Sequence, residues 1–175
     1  KVDFNFGDKT MNGEAWITAK PHFYTTDKIT LDANSMIIKE VSLNNKKLPF
    51  NYNDFDLSIE LPKTYQKDEE FTIYIKYTAR PEKAKDRITE NITDKKGLYF
   101  INADGIDKNK PTQIWTQGET QANSIWFPTI DAPNQKTSQE IYITVPNKYK
   151  TLSNGTLVNQ TNAGNNRTDY WKFDQ

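Results

Sequence analysis

The chain has 175 residues, with 23 Lys and Arg balanced by 23 Asp and Glu, no Cys and a single His. That length supports one domain with its own core, and a formal net charge of zero argues against a nucleic-acid binder or a polybasic membrane surface. Without Cys there are no disulfides or thiolate ligands, and His22 alone cannot give this chain the usual three- or four-ligand zinc site.

No apolar run approaches the roughly 18 residues of a spanning helix. The chain opens in mid-pattern at Lys1-Val2-Asp3-Phe4, which reads as a mature or excised piece. Nine Tyr, 13% aromatic residues and many Thr favour strands, and abundant Asn with sparse Gly leaves many turns to Asn and Asp.

Residues 2–6 alternate as a first strand. Turn signals over 8–13 lead into a second strand, 14–20, with Ala15, Ile17 and Ala19 on one side. Pro21 ends it, and His22 follows beside Phe23 and Tyr24 as a half-buried aromatic neighbour without an orienting carboxylate. Strands are predicted over 28–32 and 36–43, then a turn at Asn44-Asn45-Lys46-Lys47. Residues 48–52 and 55–61 flank Asn53-Asp54 as a hairpin that Pro62 stops.

Residues 71–79 give the cleanest strand: Phe71, Ile73, Ile75 and Tyr77 face one way, Thr72, Tyr74, Lys76 and Thr78 the other. Residues 81–96 read as a long polar surface loop. A short strand over 97–101 and a polar turn region over 102–110 come next.

The stretch 112–133 has no period of two and no helical period, yet carries Trp115, Trp126 and Phe127. It is predicted as an irregular packed segment with both Trp in the core and Glu119 at its centre. Strand 140–145 follows, and Asn154-Gly155 signals a hairpin between 150–153 and 156–158. A loop over 159–166 precedes a last strand, 168–173. The Asn-X-Ser/Thr matches at Asn91, Asn154, Asn159 and Asn166 are expected by chance in so Asn- and Thr-rich a chain.

About ten short strands at this spacing make residues 1–175 one all-β domain, an antiparallel sandwich or related multi-sheet fold. On residues alone, a free-standing module binding carbohydrate through Trp and Tyr, or an adhesion domain, stands beside any other function.

The ordered series adds more. Gly13-Glu14-Ala15-Trp16-Ile17-Thr18, Ile29-Thr30-Leu31-Asp32-Ala33 and Tyr74-Ile75-Lys76-Tyr77-Thr78-Ala79 are followed by Gly97-Leu98-Tyr99-Phe100 and Thr116-Gln117-Gly118-Glu119. Trp126-Phe127-Pro128, Asp131-Ala132-Pro133, Ile143-Thr144-Val145-Pro146 and Leu152-Ser153-Asn154-Gly155 complete it. The set resembles the amino-terminal domain of zinc aminopeptidases of the aminopeptidase N family, over nearly the whole chain. The resemblance implies a saddle-shaped, antiparallel all-β module packed against a thermolysin-like catalytic domain. That domain would carry zinc on a His-Glu-X-X-His…Glu site beside a Gly-X-Met-Glu-Asn motif; neither motif occurs here. The implied partners are therefore the enzyme's own catalytic domain and a peptide substrate. No catalytic residue, metal ligand or transmembrane segment is expected in this chain, and the compartment favoured is the bacterial periplasm or cell envelope.

By the same resemblance, Glu119 binds the free α-amino group of the substrate. The residue-level alternative is an exposed loop carboxylate or a turn cap. Gln117 either lines the same cleft or hydrogen-bonds a strand end, and Asp131 caps a turn. Two departures stand out: Gly118 replaces the family's aromatic in Thr-Gln-Phe-Glu, and only Asp131 and Pro133 match its Phe-Asp-Glu-Pro segment.

Overall fold

A computed structural model of the chain describes residues 1–85 and 96–174. The described residues hold thirteen strands and two single turns of 3-10 helix, at Pro81–Lys83 and Asn123–Ile125. In chain order the strands are β1 (Val2–Asn5), β2 (Thr10–Ala19), β3 (Thr26–Asp32), β4 (Ile37–Leu43), β5 (Lys46–Lys47), β6 (Phe50–Tyr52) and β7 (Asp56–Tyr65). Then come β8 (Phe71–Ala79), β9 (Leu98–Ile101), β10 (Gln113–Thr116), β11 (Gln139–Pro146), β12 (Thr156–Ala163) and β13 (Asn166–Phe173). They form an eight-stranded sheet in the order β12-β13-β11-β1-β2-β8-β4-β5, a three-stranded sheet β3-β7-β6 and a two-stranded ribbon β10-β9. The pairings are antiparallel apart from β1 with β11, which run parallel through Val2–Ile143 and Asp3–Thr144.

Period-two alternation positions the large sheet. On β8, Phe71, Ile73, Ile75 and Tyr77 are buried while Thr72 and Lys76 are exposed. Burying a side chain such as Ile75 stabilises by about 1.5–3 kcal/mol. One contiguous core joins this face to Leu31, Leu57 and Ile59 of the three-stranded sheet and to Leu98 and Phe100 of the ribbon. On the outer face, Trp16 and Tyr74 lie 5.1 Å apart at 49°, Tyr142 and Tyr170 stack 4.4 Å apart at 3°, and Lys1 Nζ sits 5.0 Å over the Trp16 ring. These rings cover one another in pairs.

Two local devices fix the packing. Gly13 lies opposite Tyr77, and a Cβ there would come within 2.1 Å of the Tyr77 ring. The glycine makes room for a fully buried tyrosine whose hydroxyl pKa burial pushes well above its ordinary value. Tyr52 donates its hydroxyl to the Ala33 carbonyl at 2.7 Å and accepts the Met36 N–H at 2.8 Å, which pins the turn between β3 and β4.

Several expectations are corrected. The second strand starts at Thr10, inside the predicted turn 8–13, because Met11 is fully buried and Gly13 is needed under Tyr77. Pro62 does not end β7. It falls where the pairing with β3 jumps from Glu60–Lys28 to Tyr65–Thr26, an irregularity that tolerates a missing N–H. Asn154-Gly155 is no hairpin turn. Gly155, at φ +84°, lies so close to β13 that a Cβ would meet the Lys172 carbonyl at 2.0 Å. The hairpin instead turns at Gly164-Asn165, and the predicted loop 159–166 is mostly β12. Of the predicted loop 81–96, the first three residues form a 3-10 turn, and 86–95, with Asn91, lie outside the described residues.

Candidate functional site

The stretch that begins at Thr112 opens as strand β10, paired with β9 through Gln113–Ile101, Ile114–Phe100, Trp115–Tyr99 and Thr116–Leu98. Leu98 and Phe100 face the core, so Trp115 and Tyr99 face outward. They stack 4.9 Å apart at 20°, and Trp115 stays 47% exposed. The expectation of a core Trp115 is thus corrected: cross-strand stacking shelters one side of its ring. Trp126 does pack against the core, edge-on to Phe127 at 4.4 Å, with its indole N–H buried and unpartnered among the described residues.

Beyond β10 the chain leaves the ribbon but stays tied. The Gln117 N–H donates to the Gly97 carbonyl at 2.9 Å, and the Ala122 N–H to the Gly118 carbonyl at 2.9 Å. Gly118 leaves room for its neighbour, since a Cβ there would meet the Asn123 side-chain amide at 2.3 Å and displace it. Gly97, at φ +62°, would clash with the Ala122 carbonyl at 2.1 Å. Replacement of an aromatic by Gly118 therefore has a physical counterpart, the Asn123 amide packed onto its α-carbon.

Asp131, 8% exposed, holds the far side. Its carboxylate accepts the Ser124 N–H at 2.8 Å and the Asn123 Nδ2 at 3.2 Å, in the first turn of Asn123–Ile125. Its own N–H donates to Asp32 Oδ2 at 2.9 Å, and Asp32 and Thr129 exchange main-chain bonds at 2.7 and 3.0 Å. The turn that Asp131 supports is Asn123–Ile125, before it in the chain. The sequence reading gave Asp32, Asn123 and Gly97 no role at this site. The signal available was glycine: only seven occur in the chain, and two of them border this segment.

On this fastened loop Gln117 and Glu119 are both exposed, and the Glu119–Thr120 peptide bond is cis. Neither side chain has a hydrogen-bond or ion-pair partner among the described residues. Gln117 meets a strand end through its backbone only. A carboxylate held on a pinned loop with its lone pairs free can take a charge-assisted hydrogen bond from a cation.

His22 is exposed and tilted against Phe23 at 4.9 Å, not half-buried as expected, because its neighbours Phe23 and Tyr24 are themselves exposed and cover little of it. Among the described residues no group of three or more His, Cys, Asp or Glu could hold a metal ion, so they offer zinc no donor set. None of their helices is long and apolar enough to cross a membrane.

Residues 1–175 match the family model for the peptidase M1 N-terminal domain. Among solved structures, a two-domain M1 zinc metallopeptidase bound to L-arginine superposes with a TM-score of 0.78 at 15% identity, over 96% of this chain and 36% of that one. The M1 zinc metallopeptidase from Deinococcus radiodurans gives 0.74 at 15% identity, over 94% and 35%. Native yeast LTA4 hydrolase gives 0.71 at 17% identity, over 98% and 25%. At these identities the likeness concerns the fold, and the chain spans about a third or less of those proteins. A search of curated proteins finds no match.

Proposed function

The chain belongs to the peptidase M1 N-terminal domain family, and on that premise we propose that it is the substrate-positioning module of a zinc-dependent aminopeptidase. In this reading Glu119 binds the free α-amino group of a peptide and Gln117 lines the same cleft. A separate catalytic domain supplies the zinc and the peptide-cleaving groups.

One observation carries the reading: Glu119 is an exposed carboxylate without a partner among the described residues, on a loop held from both sides. An α-amino group has a pKa of roughly 7.7–8.0, so much of it is cationic at neutral pH. A fixed carboxylate facing it forms a short charge-assisted bond. The contact sets the distance from the amino end to the reacting centre, so that only the first peptide bond is presented. The anchors at Gly97 and Asp131 matter because small displacements of a positioning group are costly in rate.

The test is kinetic, in the complete enzyme. Glu119→Ala is expected to cut kcat/KM on aminopeptidase substrates by about 2–5 kcal/mol, roughly 30- to 5,000-fold. Substrates whose amino end is acetylated should lose nothing further from the substitution. Unchanged kcat/KM with free amino ends would overturn the assignment.

A further inference from the structure

The eight-stranded sheet ends differently on its two sides. One end is β5, two residues long and both lysines. The other is β12, eight residues with no charge and no proline, every one exposed. Natural sheets blunt their edges with short strands, charges and proline. β5 follows that rule and β12 does not. Among the described residues β12 pairs only with β13, so none of their strands lies beside its outer row of N–H and C=O groups.

A register shift between Leu157 and Asn159 breaks the strand near its start, and such bulges bend it. Residues 159–163 then run in unbroken register with β13, from Asn159–Tyr170 to Ala163–Asn166. The Gln160 N–H donates to Asn159 Oδ1 at 2.8 Å. That amide points away from β13, and an incoming strand would displace the side-chain acceptor.

We propose that residues 159–163 form a self-pairing edge. Two copies of this chain join their β12 strands antiparallel about a two-fold axis at Thr161, continuing the large sheet across both. At that axis Thr161 meets Thr161, Gln160 meets Asn162 and Asn159 meets Ala163. A charged strand would face its own charge there, which destabilises a pair; this strand carries none. The Thr161 pair extends a row already present: Thr161 lies opposite Thr168, whose Oγ1 is 2.9 Å from Thr144 Oγ1. The lysine edge supplies the second argument for a like partner. Head-to-tail growth would need β5 to receive β12, and two lysines make a poor acceptor strand. β12 therefore fits only another β12, and the assembly closes at two copies. A five-residue seam covers less than the ~1,200 Å² of a stable interface, so the dimer is weak, with a Kd on the order of 10⁻⁵–10⁻³ M.

Sedimentation equilibrium of residues 1–175, which share one contiguous core, tests this. The dimer fraction should rise with concentration up to about 1 mM. Thr161→Lys and Thr161→Glu should each abolish it, and mixing the two variants should restore a heterodimer. A chain that stays monomeric to 1 mM, or a dimer indifferent to Thr161→Lys, overturns the proposal. Species that grow beyond two copies overturn the closed pairing. If the variants fail to fold, amide exchange of the native chain decides. Protection along β12 that rises with concentration supports the seam, and exchange independent of concentration overturns it.

Discussion

Two carboxylates mark opposite uses of the same group. Asp169 on β13 is 1% exposed and accepts from Arg167 Nε at 2.6 Å and Nη2 at 3.0 Å, Thr151 Oγ1 at 2.6 Å and Gln160 Nε2 at 2.9 Å. Trp171 adds a further link by donating its indole N–H to Thr151 at 3.0 Å. Glu119 is exposed, and its oxygens have no partner among the described residues. The first carboxylate is saturated, so it serves the fold. The second is open on a tied loop, so it is free to serve a ligand. Satisfaction of lone pairs separates the two where residue type does not.

Breaking each in turn should give opposite signatures. Asp169→Ala leaves the half-buried Arg167 and Thr151 groups and the exposed Gln160 amide without their buried acceptor and should cost about 1–3 kcal/mol of stability. Urea unfolding measures it, and a loss below ~1 kcal/mol would show the network to be decorative. Glu119→Ala should leave the unfolding curve unchanged while producing the kinetic loss described above. A large stability loss at Glu119 would erase the contrast.

The pH dependence sharpens the same pair. Hydrogen bonding from Arg167 comes first among the causes that hold the Asp169 carboxyl below its ordinary value. Its stabilisation is therefore present above the unfolded carboxyl pKa of roughly 4 and fades as pH falls through the lower folded value. Asp169→Asn should flatten the stability profile below about pH 4 relative to the native chain. A parallel profile would place the acid sensitivity elsewhere.

A smaller effect probes the loop beneath Glu119. Gly118→Ala should cost about 1–3 kcal/mol through its clash with the Asn123 amide. Asn123→Ala alone should cost about 0.5–1.5 kcal/mol through the lost bond to Asp131. Combined, the two changes should cost less than their sum, because the second removes the obstacle to the first. Additive losses in urea would mean the amide and the glycine do not meet.

The sequence was legible where burial imposes alternation. The β8 reading matches its bounds because Phe71, Ile73, Ile75 and Tyr77 all enter the core. On β12 it was legible only over 156–158; beyond them, exposure on both faces leaves no alternation and Asn-Gln-Thr-Asn-Ala looks like a loop. Asn154-Gly155 misled because its glycine serves close approach to β13 and not a hairpin. At the site, Glu119 could be singled out by resemblance. Its openness could not, since that depends on Asp32 reaching Asp131 across 99 residues of chain. Trp115 was misread for a similar reason: its Tyr99 neighbour follows from ribbon register.

The parallel contact between β1 and β11 has a consequence for how the chain assembles. Among the described residues it is the sole strand pairing between β12-β13-β11 and β1-β2-β8-β4-β5. Each half can zip up through antiparallel neighbours of its own, but Val2 cannot meet Ile143 until most of the chain exists. On a ribosome the free side of β1 therefore waits, unpaired, for a strand made much later. Closing that distant junction is the high-contact-order event of the fold, and topology makes it a late, slow step.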